Sequence, residues 1–163
     1  VFYFSVHQSR FYPGTGSANE EGAGRGLNHT LNVPVPAGTG DLEYREIFAQ
    51  VLRPAAVTFG PDFVLISAGF DAHRRDPLAA MELSEEGYAG LTRLLLRIAA
   101  DHAEGRCAAV LEGGYDLEAL AASVLAVLDE MGGDRMNEEL PPAEARDALI
   151  EPVLAVQRKY WEL

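Results

Sequence analysis

Three short segments combine residue types that could do chemistry: Ser5-Val6-His7 running on to Phe11-Tyr12-Pro13-Gly14-Thr15-Gly16, Ala68-Gly69-Phe70-Asp71-Ala72-His73, and Leu111-Glu112-Gly113-Gly114-Tyr115-Asp116. In the last two a glycine precedes the polar residue, so the backbone can turn sharply and aim the side chain into the space beyond. Asp71 comes directly after an apolar run. A carboxylate there must be paired, hydrogen-bonded or bound to a cation, because burying it alone is prohibitive. A salt bridge to Arg74 or Arg75 and ligation of a metal ion are both open on that ground. Asp71 and His73 stand at i and i+2, which on an extended segment would put them on one side as a ligand pair. Tyr115 reads either as a packed tyrosine or as a phenol able to donate a hydrogen bond to a developing oxyanion.

The remaining candidates are weaker. His7 reads as a half-buried histidine bonded to backbone, and Ser5 needs a partner such as a carbonyl or a bound cation. Phe11 and Tyr12 are either core or the wall of an apolar substrate tunnel. Gly22-Ala23-Gly24-Arg25-Gly26 has the glycines of a phosphate loop without the strand-to-helix setting that would make it one. Cys107 lies in the apolar run Cys107-Ala108-Ala109-Val110-Leu111 and reads as a small buried hydrophobe.

The elements that would carry these residues follow from the hydrophobic pattern. Val1 to His7 is β-branched and aromatic, the pattern of a buried strand. Residues 8–40 are rich in glycine and proline and predict a long shaped loop with a short strand at Leu31–Val35. Asp41 can cap a helix to about Val57, with Ile47, Val51 and Leu52 as its apolar stripe. Phe63 to Ala68 is a continuous apolar run that predicts a parallel strand buried on both faces. Ser84 caps a second helix to about His102, Cys107–Leu111 forms another strand, and Asp116 opens a helix to about Met131. Residues 132–145 read as a polar link to a last helix near Ala143–Tyr160. Strand–helix alternation of this kind predicts an α/β layer with a mainly parallel sheet. In such sheets ligands bind beyond the carboxyl ends of the strands, where the three segments fall.

Composition narrows the function. Twenty-five acidic against thirteen basic residues give a net charge of -12, a field that repels nucleic-acid phosphates and argues against direct DNA or RNA binding. A single cysteine rules out an internal disulfide and a cysteine-cluster zinc site. No stretch approaches the roughly 20 apolar residues of a membrane span. The chain starts at Val1 inside a strand-like run, so residue 1 is expected to be a cut end. The abundance of Ala, Gly, Leu and Arg points to a bacterial, cytoplasmic protein.

The ordered motifs Ser-Val-His-Gln with Phe-Tyr-Pro-Gly-Thr-Gly (5–16), Leu-Asn-Val-Pro-Val-Pro (31–36), Ser-Ala-Gly-Phe-Asp-Ala-His (67–73) with Asp76-Pro77-Leu78, and Glu-Gly-Gly-Tyr-Asp (112–116) resemble the histone deacetylase and acetylpolyamine amidohydrolase superfamily, in its class II-like branch. The likeness covers residues 1–131, the C-terminal part of such a catalytic domain, and leaves 132–163 as a linker and helix. It implies an arginase/deacetylase-like three-layer α/β/α fold and zinc-dependent removal of acetyl groups from lysine side chains or acetylated polyamines. On this resemblance Asp71 is a zinc ligand, His73 is not, and Tyr115 is the catalytic phenol. Tyr12 and Leu78 line the substrate tunnel, Gly114 leaves room for the substrate, and Ser5 (hydroxyl) and Val6 (carbonyl) help hold a structural monovalent cation, potassium. The family's histidine base and its other two zinc ligands lie upstream of its first matched segment, so the isolated chain is expected neither to hold stoichiometric zinc nor to deacetylate. A non-catalytic deacetylase-like scaffold is the alternative, and a nucleotide-binding α/β domain a more distant one.

Overall fold

A computed structural model describes residues 1–133, 147–161 and 163. The expected link at 132–145 lies almost wholly outside them. Four strands are present among them: β1 (Tyr3–Gln8), β2 (Thr30–Val35), β3 (Val64–Ala68) and β4 (Cys107–Leu111). They form two parallel pairs, β1 with β2 and β3 with β4, in separate two-stranded sheets. Ser5 stands opposite Asn32 in the first pair, and Ala68 opposite Leu111 in the second. Parallel strands need a long crossover. Between β3 and β4 it contains α3 (Glu85–His102), whereas between β1 and β2 it is the long loop 9–29, whose one regular piece is a 3-10 turn at Gly24–Gly26.

Helix boundaries follow local chemistry. Ser84 caps α3, its hydroxyl accepting from Gly87 N, and Asp116 caps α4 (Leu117–Met131) by accepting from Ala119 N. Asp41, expected to cap the first helix, does not. Gly40 is the cap of α1 (Asp41–Ile47), its N–H donating to Glu43 Oε2. The Asp41 carboxylate instead accepts from the backbone N–H and hydroxyl of Ser84, which ties the start of α1 to the start of α3. The single helix expected to about Val57 is also interrupted: Phe48–Leu52 is a π-helical stretch, followed by α2 (Arg53–Phe59). Pro54 has no N–H to offer the carbonyl four residues back and its ring crowds that turn, so the helix widens just ahead of it.

The core is built on β2, whose Leu31, Val33 and Val35 are fully buried with Ile47, Val51 and Ala55. Ile150, Val153, Leu154 and Trp161, from and just after α5 (Asp147–Gln157), join the same cluster, and Trp161 meets Phe2 edge-on at 5.2 Å. Two strands expected to be buried are more open than that. Tyr3 of β1 is exposed, and in β3 burial alternates, with Leu65 68% exposed. Val64, Ile66 and Ala68 are partly covered, while the face carrying Leu65 is open among the described residues. An apolar side chain on both faces of a strand is a property of sequence. Cover on both faces is a property of the neighbours.

Candidate functional site

The three segments come together because their loops bond to one another beyond the strand ends. Past β3 and β4, Phe70 N donates to Gly113 O at 2.9 Å and Glu112 N to Ala68 O at 3.0 Å, while Ser67 Oγ donates to Glu112 Oε1 at 2.6 Å. From the end of β1, Gln8 Oε1 accepts from Ala80 N at 3.0 Å, which ties the base of the Phe11–Gly16 loop to the stretch after Asp71.

Asp71 sits in a turn closed by His73 N donating to Phe70 O at 3.2 Å. The segment is therefore not extended, and the i, i+2 geometry expected for a ligand pair with His73 is absent. His73 is fully buried; Arg75 N donates to its Nδ1 at 3.1 Å, and its Nε2 lies 3.4 Å from Glu85 Oε1. The salt bridges weighed for Asp71 are absent too. Arg74 faces Glu85 at 3.5 Å, and Arg75 faces Asp116 at 3.2 Å and Glu118 at 2.8 Å. Among the described residues the half-buried Asp71 carboxylate has no hydrogen bond or ion pair.

Its cradle is made by two glycines. A Cβ on Gly69 would stand 2.8 Å from Asp71 Oδ1, and one on Gly113 would stand 3.1 Å from both Cγ and Oδ1. Only residues without a side chain leave the carboxylate this space. Burial above all pushes the phenols of Tyr44 and Tyr88 well above the usual tyrosine range, with the Asp71 charge the next cause at Tyr44 and a later one, after Tyr44, at Tyr88.

Tyr115 follows two residues after Gly113, and its side chain is 57% exposed. Gly114 between them has φ +127°, and a Cβ there would be 3.0 Å from Phe70 Cβ and from Leu120 Cδ1. At Gly114 the structure thus supplies a backbone reason for glycine. Tyr12 and Leu78 are exposed at 89% and 58% on the two loops that Gln8 and Ala80 tie together. Neither is core.

On β1, Ser5 Oγ donates to His7 Nδ1 at 2.9 Å, and His7 Nε2 donates to Gly16 O at 2.9 Å. His7 is therefore bonded to backbone, and it pins the far end of the Tyr12 loop, where a Cβ on Gly16 would meet its ring. The Ser5 oxygen keeps lone pairs for a further partner. Glu20 accepts from Gly16 N and Ser17 N, and those bonds hold its carboxyl below the usual range. Burial raises the Cys107 thiol, as expected of a small hydrophobe.

Two residues that organise the site stand inside the quoted motifs but were given no role there. Gln8 is one, and nothing in its type or spacing marks what it does. Asp76 is the other, and its signal was available: an aspartate whose carboxylate accepts from the N–H groups two and three residues on is an ordinary turn device. Among the described residues no three His, Cys, Asp or Glu side chains group to hold a metal ion, so Asp71 stands alone as a ligand candidate. Nor is any described helix long and apolar enough to cross a membrane.

A half-buried unpaired carboxylate in a glycine cradle and an exposed phenol two residues after Gly113 thus lie just past the ends of the parallel strands β3 and β4. The chain belongs to the histone deacetylase domain family, whose profile matches residues 1–131. It is 44% identical over 124 residues to histone deacetylase 14, chloroplastic, of Arabidopsis thaliana, covering 76% of this chain and 29% of that protein. It is 37% identical over 178 residues to a probable deacetylase of Archaeoglobus fulgidus, covering 99% of this chain and 50% of that one. Among solved structures, the HDA15 HD domain superposes with a TM-score of 0.85 at 38% identity, over 98% of this chain and 44% of that chain. Histone deacetylase Clr3 gives 0.84 at 35% identity, over 99% and 28%. The fold is therefore the arginase/deacetylase one, and the chain spans half or less of the length of these relatives.

Proposed function

We propose that this chain supplies one metal ligand and the oxyanion donor of a zinc-dependent amidohydrolase that removes acetyl groups from lysine side chains or acetylated polyamines. The observation that carries the reading is the Asp71 carboxylate, unpaired and held open between Gly69 and Gly113. A catalytic zinc centre takes three protein ligands; Asp71 is the one we assign, and among the described residues no other His, Cys, Asp or Glu side chains group with it to complete the set. Bound there, zinc would polarise the acyl carbonyl and acidify a water.

The chain's own geometry supports the part we assign to it. The exposed hydroxyl of Tyr115 donates to the carbonyl oxygen as negative charge gathers on it, an interaction stronger in the transition state than with the substrate. Tyr12 and Leu78 offer uncharged walls to the methylene arm of an acylated amine. The carbonyl of Gly113 is taken by Phe70 N, and Gly114 presents no side chain to the substrate. Ser5 Oγ and the Val6 carbonyl are the oxygens we assign to a structural potassium ion, with the imidazole of His7 fixing the Ser5 hydroxyl rotor.

Equilibrium dialysis and a deacetylation assay test this. The isolated 163-residue chain should take up well under one zinc per chain and leave an acetyl-lysine peptide intact. In the protein as the cell makes it, Asp71→Ala should lose zinc, and Tyr115→Phe should keep zinc and lower kcat by about a hundredfold. Tight one-to-one zinc binding by the isolated chain, or full activity of Tyr115→Phe, refutes the assignment.

A further inference from the structure

Tyr115 lacks what usually holds a catalytic side chain still. Its ring is more than half exposed, and two glycines precede it, so neither packing nor a stiff backbone sets its place. What sets it is its own N–H, which donates to Asp76 Oδ2 at 2.9 Å. Asp76 is buried, and its other oxygen accepts from Leu78 N at 2.9 Å and Ala79 N at 3.2 Å. One carboxylate therefore binds three backbone amides from two loops: that of the phenol and that of the tunnel wall. The next residues repeat the link, Arg75 facing Asp116 at 3.2 Å. Asp116 in turn caps α4, so the backbone is gripped on both sides of the Tyr115 side chain.

We propose that Asp76 is a positioning residue that sets the catalytic phenol through the backbone N–H of Tyr115 and keys it to the Leu78 wall. This rests on the function proposed above for Tyr115. A charged acceptor holding several amides is stronger than a neutral one, and a displacement of about 1 Å at a reacting group can cost about a hundredfold in rate. Asp76→Asn is the informative change, since it keeps shape and one acceptor oxygen. Its single carbonyl oxygen can serve only one loop at the expense of the other: the NH2 group facing the second loop, for example Tyr115 N–H, sets donor against donor.

The test is a double-mutant cycle in the protein as the cell makes it, with acetyl-lysine peptide as substrate. Alone, Asp76→Asn should lower kcat about ten- to a hundredfold with KM within about twofold and zinc content unchanged. Added to Tyr115→Phe, it should lower kcat no further, because the group it positions is already gone. Asp76→Ser, which can still cap the Leu78 turn but cannot reach Tyr115, is the milder second variant and should show the same non-additivity. An equal loss from Asp76→Asn in both backgrounds overturns the proposal and leaves a merely structural aspartate. So does wild-type kcat in Asp76→Asn. Failure of the functional reading itself would show differently, as an unchanged kcat in Tyr115→Phe alone.

Discussion

Removing the Glu130 charge should cost the protein a large part of its stability, and the structure says how much. Glu130 has no exposed surface, and Arg93 opposite it on α3 is 4% exposed at its side chain. Arg93 Nε donates to Glu130 Oε2 at 2.9 Å and its Nη2 donates to Oε1, a bidentate pair between α3 and α4. With charge centres about 4 Å apart and an effective dielectric of about 20, the attraction is about 4 kcal/mol. Glu130→Gln takes the charge of this bidentate partner away from a buried guanidinium, and breaking a buried pair typically costs about 3–5 kcal/mol. Against a total of about 5–15 kcal/mol for a domain, that is decisive. Urea unfolding followed by circular dichroism should show the midpoint falling in proportion, with the slope unchanged. The pair's net contribution is a separate quantity, because folding first had to desolvate both ions. Arg93→Met with Glu130→Leu should therefore sit within about 1 kcal/mol of wild type or above it. A loss under about 1 kcal/mol in Glu130→Gln, or a double variant as unstable as the single one, would refute this reasoning. The consequence reaches the site, since α4 starts directly after Tyr115 and its far end is fixed by this pair.

Two further outcomes follow from local geometry. Gly114→Ala places a Cβ at φ +127° and 3.0 Å from Phe70 Cβ, and should destabilise by about 1–3 kcal/mol; Gly26→Ala, where nothing lies within 4 Å, should be close to neutral in the same denaturation assay. Asp116 has its pKa lowered, first by the Ala119 N–H and then by Arg75. Its contribution is thus complete above the ordinary carboxylate range and is lost as pH falls through the depressed value. Melting temperatures taken from neutral to about pH 2 should fall less steeply for Asp116→Asn than for wild type; parallel curves would show that the cap and ion pair contribute nothing.

Local chemistry alone determined much of this protein. The helix starts at Ser84 and Asp116 were legible because a cap is settled within three residues by a side-chain oxygen and a nearby N–H. The four strands were legible as apolar runs, and their carboxyl ends marked where Asp71 and Tyr115 would emerge. Asp41 reads as a cap but serves α3 forty-odd residues on, and Pro54 interrupts a helix only through its fit to the preceding turn. Leu65 is apolar yet open, since burial depends on what lies opposite. Asp71 could have met Arg74 or Arg75, and nothing in the order of residues said those arginines would turn to Glu85, Asp116 and Glu118. Only the tertiary structure decided that the carboxylate stays unpaired between two glycines and that Asp76 holds the phenol's amide. Both depend on bringing together loops some forty residues apart, where distance and direction in space, not residue type, choose the partner.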